Sequence, residues 1–171
     1  VQLGQVGSNP PGYDQKAVVF YSSSAVIKAV YKAVDNYALS TGWNFVSVPV
    51  GVSSYLKASV WTNATSPAWH FQGTNYVAKD TLAAGAGYWV KFSAAQNYPY
   101  VGAAIPAETV SVNAGWNMVG SITNPLVVSK IMGDTITAGP FAYGWNGYRH
   151  GYWPTDSIRP GQAYWIKFSS A

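Results

Sequence analysis

Residues 80–93 read Asp-Thr-Leu-Ala-Ala-Gly-Ala-Gly-Tyr-Trp-Val-Lys-Phe-Ser, and residues 156–169 read Asp-Ser-Ile-Arg-Pro-Gly-Gln-Ala-Tyr-Trp-Ile-Lys-Phe-Ser. The offset is 76 without a gap, and seven of the 14 positions are identical. Upstream, Thr41-Gly42-Trp43-Asn44-Phe45-Val46 matches Ala114-Gly115-Trp116-Asn117-Met118-Val119 at an offset of 73. Two related units, whose middles differ by a three-residue insertion, are the expectation. Two copies of this size form two halves of one core.

Each unit reads as β. In Tyr88-Trp89-Val90-Lys91-Phe92, Tyr88, Val90 and Phe92 fall on one face and Trp89 and Lys91 on the other. Tyr164 to Phe168 repeats the pattern, with Trp165 and Lys167 outward. A Gly-containing turn precedes each strand, Gly85 in one and Pro160-Gly161 in the other. Further strands are expected at 44–50, 58–62, 68–71, 75–79, 108–113, 116–121, 141–145 and 148–153, with a helical turn or two in 125–132. Short strands separated by Gly, Pro, Asn and Ser predict a mainly β fold, a sandwich or barrel-like body. The organisation expected is an arm over 1–36, a first unit and linker over 37–105, and a second unit over 106–171.

The arm matches neither unit. Residues 16–21 read as a strand, and residues 25–38 carry helical spacing. Val26, Val30, Val34 and Tyr37 share one face, while Lys28, Lys32 and Asp35 share the other. The arm packs on its own units or on a neighbouring molecule.

The pairing of Gly-Trp-Asn with a later Gly-Tyr-Trp-Val resembles a tandem module of secreted and cell-surface bacterial proteins. The residues that carry the likeness are Gly42, Trp43, Asn44, Gly85, Gly87, Tyr88, Trp89, Gly115, Trp116, Asn117, Pro160, Gly161, Tyr164 and Trp165. Residues 83–85 lack the module's Pro, and residues 161–163 lack its second Gly. The resemblance covers about residues 40–170 and implies export and a β-rich fold. It transfers no active site.

Composition narrows the function classes. Of 171 residues, 16 are charged, where an average domain would carry ~43. Aromatic residues make up 16 %. Disorder is excluded by that aromatic content. The longest uncharged stretches, 36–56, 58–78 and 109–129, are broken by polar residues, Gly and Pro, so no membrane span is expected. The net charge of +4 reflects scarce acids rather than clustered bases, which argues against nucleic acid. Cysteine is absent, excluding disulfides and thiol chemistry. The first residue is Val1, and removal of an export signal is expected.

No catalytic constellation emerges. His70 and His150 lack a Gly-x-Ser-x-Gly partner and read as structural. No metal or cofactor is implied, and Asp80 and Asp156 read as turn residues bonding their own backbone. Trp43 and Trp116, after turn glycines, read as core. Two roles remain. The first is an extracellular structural subunit that self-associates into a fibre, pilus or surface layer, with copies of itself as partner. Its contact candidates are Val18, Phe20, Val26 and Val30 of the arm, which can donate a strand or helix to a neighbour, and outward Trp89, Lys91, Trp165 and Lys167. The second is an adhesion or carbohydrate-binding module holding surface glycans through loop aromatics Trp61, Trp69, Trp145, Tyr148 and Trp153.

Overall fold

A computed structural model describes residues 35–133, 136–137, 141–147 and 149–169, with four pairs before them: Tyr13–Asp14, Val18–Val19, Lys28–Ala29 and Lys32–Ala33. The chain is mainly β. Its centre is two four-stranded antiparallel sheets. In the first, Gly42–Ser47 pairs with Gly87–Phe92, which pairs with Ala68–Phe71, which pairs with Tyr76–Lys79. In the second, the order is Gly115–Val119, Tyr164–Phe168, Ala142–Asn146 and Gly151–Thr155.

The registers correspond residue for residue. Trp89 lies opposite Phe45 and Trp69. Its counterpart Trp165 lies opposite Met118 and Tyr143. Phe71 faces Tyr76 across one hairpin, as Trp145 faces Tyr152 across the other.

The Gly-Trp-Asn triplet starts each sheet for a local reason. Gly42 and Gly115 hold φ of 90° and 96°, a region that glycine enters without a Cβ penalty. The following amide clamps the turn. Asn44 accepts from Ser40 N at 2.9 Å and donates to the Ser40 and Gly42 carbonyls at 2.8 and 3.0 Å. Asn117 does the same with Asn113 and Gly115 at 3.0, 2.8 and 3.0 Å. The strand ends match too. The Tyr88 hydroxyl accepts from Ala83 N at 2.8 Å, and the Tyr164 hydroxyl accepts from Arg159 N at 2.9 Å.

One face of each sheet covers its own core. Val46, Val48, Trp61, Ala68, Tyr88, Val90, Phe92 and Tyr100 are buried in the first, and Val119, Val128, Ala142, Ile158, Tyr164, Ile166 and Phe168 in the second. The other faces meet each other through Phe45, Met118 and Ala163, with Phe71, Trp89, Trp145 and Trp165 packed around them.

The join is reciprocal. Ser47 N donates to Gly161 O at 3.0 Å, and its counterpart Gly120 N donates to Gly85 O at 2.7 Å. Val46 bridges Gln162 as Val119 bridges Ala86. Contacts in which i meets j and j meets i mark a twofold relation, here within one chain. A Cβ at Gly120 would lie 2.5 Å from the Ala86 carbonyl oxygen, so this approach needs glycine. At the matching position Ser47 has room. Its hydroxyl pairs with Ser121 Oγ at 2.8 Å and donates to Gln162 O at 2.7 Å.

Several expectations need correction. Residues 58–62 are not a strand: Lys57–Val60 is one helical turn. Residues 108–113 pair with nothing among the described residues, whereas Gln96–Tyr100 is a strand that local patterning missed. The helix read over 25–38 fails where it is described. Lys28–Ala29 and Lys32–Ala33 pair with Val18–Val19 and Tyr13–Asp14, and Asp35–Leu39 pairs with Gln96–Tyr100. The rest of that segment lies outside the described residues. The helical turn expected in 125–132 is the 3-10 turn Val128–Lys130. No helix among the described residues is long and apolar enough to cross a membrane.

Candidate functional site

Alternation sends Trp43, Phe45, Trp89 and Lys91 to the face opposite Asn44, Val46, Tyr88 and Val90. Where the two such faces meet they do not cover each other fully. Two open grooves flank the contact. The first, of about 550 Å³, is lined by Trp43, Trp69, Tyr76, Trp89, Trp145 and Tyr152. The second, of about 580 Å³, is lined by Trp116, Tyr143, Tyr152, Trp165, Phe71 and Tyr76. Taken in that order, each residue of one groove is the counterpart of a residue in the other. Tyr76 and Tyr152 belong to both, so the grooves join into one aromatic strip across the twofold.

The rings hold one another. Phe45 stacks on Trp89 with centroids 4.8 Å apart, and Trp89 meets Trp145 edge-on at 5.0 Å. Phe71 meets Trp165 edge-on at 5.2 Å. The Trp165 indole donates to the Tyr152 hydroxyl at 3.1 Å. Burial, and then the nearby Tyr152, raise the Tyr76 pKa, and the neighbouring Trp89 indole lowers it in part. Both grooves are lined almost wholly by apolar ring surface, and the Trp145 indole N–H is buried without a partner among the described residues. Lys91 lies opposite Trp43 and Lys167 opposite Trp116, both exposed, at its two ends.

A second pair of pockets lies at the join. One, of about 510 Å³, brings Tyr37, Ser40 and Asn44 of the first half to Trp145, Trp153, Thr155, Ser157, Arg159 and Gln162 of the second. Its counterpart, lined by His70, Phe71, Gln72 and Asn113 among others, has about 280 Å³. The difference starts at one position. His70 fills its side, donating from Nδ1 to Gly87 O at 2.9 Å and packing 5.6 Å from the Tyr88 ring. Gly144 stands in the matching place with no side chain.

The expected site residues fall into distinct groups. Trp89 and Trp165 are partly buried where the sheets meet and also line the grooves, with Lys91 and Lys167 exposed beside them. Trp69 and Trp145 line the first groove. Trp153 is 58 % exposed, with the Arg149 guanidinium 5.6 Å from its ring centroid. Trp61 is a correction. It is fully buried, its indole donating to the Tyr100 hydroxyl at 3.2 Å, and cannot meet a ligand. Tyr148, Phe20, Val26 and Val30 lie outside the described residues, and of Val18 only its strand pairing is described.

Trp43 and Trp116 are the reverse correction, since both are about half exposed in the strip rather than core. Strand parity carried the signal, because inward Asn44 and Val46 force Trp43 outward. Asp80 and Asp156 also differ from expectation. Their main-chain carbonyls accept from Lys57 N and Val128 N, each at 2.7 Å, and the Asp156 carboxylate accepts from Ser157 Oγ at 3.1 Å. His70 is a hydrogen-bonded structural residue as read, and His150 sits at the end of a hairpin. Among the described residues no cluster of His, Asp and Glu stands ready to hold a metal ion. Comparison with protein-family models, with curated proteins and with solved structures finds no match.

Proposed function

We propose that the protein is an exported, extracellular subunit that associates with copies of itself. The single observation that carries this reading is the aromatic strip, in which Trp43, Tyr76, Trp116 and Tyr152 are each 44–48 % exposed. Large exposed apolar patches mark interaction surfaces, and Trp and Tyr are the residues that concentrate at them. A patch that is symmetric about a twofold is matched in shape and chemistry by the same patch on another copy. The surface of the strip is almost wholly apolar, which favours a protein partner over the hydroxyl-rich surface of a glycan. Scarce charge lowers the repulsion between copies. The likeness of the Gly-Trp-Asn and Gly-Tyr-Trp segments to secreted modules supports export.

The reading is tested by measuring the mass of the purified chain across a concentration series, with Trp43→Glu and Trp116→Glu beside it. Both positions are exposed, so the variants fold, and association weakens at least tenfold. A wild-type chain that stays monomeric at high concentration contradicts the reading.

A second reading, an adhesion or carbohydrate-binding module, is favoured by the pocket between Tyr37 and Arg159. Its exposed Trp153 ring stands among hydroxyl and amide side chains with the Arg159 guanidinium, an aromatic face beside hydrogen-bonding groups, the combination that holds a sugar. Glycan binding that is lost in Trp153→Ala but kept in Trp43→Glu would favour it.

A further inference from the structure

The two pockets at the join are counterparts, yet they differ in what they can hold. Register fixes the correspondence. Trp69 and Tyr143 each lie opposite the central Trp of their sheet. His70 therefore matches Gly144, and across each hairpin Val77 matches Trp153. The offset of 76 pairs Ala83 with Arg159.

At these three positions the second half departs in one direction. Gly144 carries no ring to fill the space, and the pocket has about 510 Å³ against 280 Å³ for its counterpart. The larger volume lies within the range of small-ligand sites and the smaller falls short of it. Trp153 brings a broad ring to the wall and leaves it 58 % exposed. Arg159 brings the one charge among the described lining residues, and no acid lines the pocket with it. The frame around these positions is the same in both halves. Asn44 and Asn117 make the same clamp, and Tyr88 and Tyr164 accept the same main-chain bond. None of the three differences is needed to build that frame.

The wall is also fixed, while its charge is left over. Thr155 Oγ1 donates to Ser157 O at 3.1 Å, and the Tyr164 hydroxyl donates to Gln162 Oε1 at 2.6 Å. Arg159 bonds the Tyr164 hydroxyl through its main-chain N at 2.9 Å, not through its exposed guanidinium. A second guanidinium, that of Arg149, lies 5.6 Å from the Trp153 ring centroid. An aromatic face with two cations and no acid beside it is matched by a ligand that has an apolar face and a negative charge.

We propose, resting on the sugar-binding reading and independently of self-association, that this pocket binds an acidic glycan, one whose sugars bear carboxylates. A sugar ring lies on Trp153 through its C–H face. The carboxylate accepts two parallel bonds from the planar Arg159 guanidinium, which a sugar hydroxyl cannot do. The counterpart pocket, with His70, Val77 and Ala83, holds no such ligand.

The test uses the full chain and a panel of oligosaccharides carrying uronic or sialic acids, each beside the same chain with its carboxylates reduced to alcohols. Calorimetry at low ionic strength is expected to show at least tenfold tighter binding of an acidic chain than of its neutral form. That advantage shrinks as salt is added, because the pair is exposed to screening. Arg159→Ala, which keeps the main-chain bond to Tyr164, removes the advantage and leaves the weaker neutral binding; Arg159→Lys, a charge without the fork, restores only part of it. Trp153→Ala loses both. Equal affinity for the acidic and neutral chains, or an advantage that survives Arg159→Ala, overturns the acidic preference while sugar binding stands. Competition by sodium acetate as strong as by the acidic sugar means a bare anion site and overturns the proposal. Binding to no member of the panel, acidic or neutral, sinks the sugar-binding reading and this inference with it.

Discussion

The first half of the chain closes its core with a flap of its own, Asp35–Leu39 paired with Gln96–Tyr100; the second, with the same sheet register and the same Gly-Trp-Asn clamp, leaves a groove at the matching place. Tyr100 is buried against Trp61 on one side, while Val110 and Val112 line an opening on the other. Equal secondary structure does not mean equal closure. A sheet with one apolar face needs cover for that face, and the cover is specified separately from the strands. The same lesson holds at the join, where His70 fills one pocket and Gly144 leaves its counterpart open.

The comparison can be broken most forcefully at Tyr100. Tyr100→Ala would give the first half the opening that the second already has. The expected loss is about 3–5 kcal/mol in chemical denaturation, the range for deleting a buried ring. A loss under about 1 kcal/mol would mean that this ring is not what closes the first core.

Next comes the reciprocal join. Gly120→Ala forces a Cβ to within 2.5 Å of the Ala86 carbonyl oxygen, with an expected cost of about 1–3 kcal/mol. Ser47→Ala, at the matching position, leaves Ser121 Oγ and the Gln162 carbonyl short of a partner and costs about 1–2 kcal/mol. If Gly120→Ala were neutral, the two sheets would not be locked as described.

The amide clamps give a smaller contrast. Asn44 and Asn117 make the same three bonds, but Asn44 is buried and Asn117 only partly so. Asn44→Ala should therefore cost more than Asn117→Ala, by about 0.5–1 kcal/mol. Thermal unfolding of the two variants side by side reads the difference, and equal losses would contradict it.

The smallest effect concerns alkaline pH. Burial raises the pKa of both Tyr37 and Tyr100 above the ordinary value of 10.0. A raised folded pKa means that the native state holds its proton more tightly than the unfolded chain does. The stability is complete below pH 10 and falls as pH rises above it. Tyr100→Phe should flatten that fall, measured as denaturation midpoints above pH 10. An unchanged slope would place the alkaline sensitivity elsewhere.

Much of the sheet architecture was legible. Tyr88 to Phe92 and Tyr164 to Phe168 alternate cleanly, and the Gly-Trp-Asn triplets mark where each sheet begins. The arm and the flap were not. Residues 108–113 have the β-branched content of a strand, but a strand also needs a neighbour, and local pattern cannot supply one. Asp35–Leu39 carried the end of a helical spacing, and pairing with Gln96–Tyr100 overrode it. Trp61 reads as a loop aromatic beside Thr62 and Asn63, yet the Tyr100 hydroxyl receives its indole and the core closes over it. The aromatic strip depends on one sheet meeting another, so no window of sequence contains it. Its members are ordinary outward positions until Phe71 reaches Trp165 and Trp145 reaches Trp89.

The measurement that bears most directly on self-association is the mass of the full chain in solution over a wide concentration range, alone and as Trp43→Glu. The account predicts species well above one chain for the wild-type sequence and a shift toward single chains for the variant. A full-length chain that stays a single copy at every concentration would contradict it.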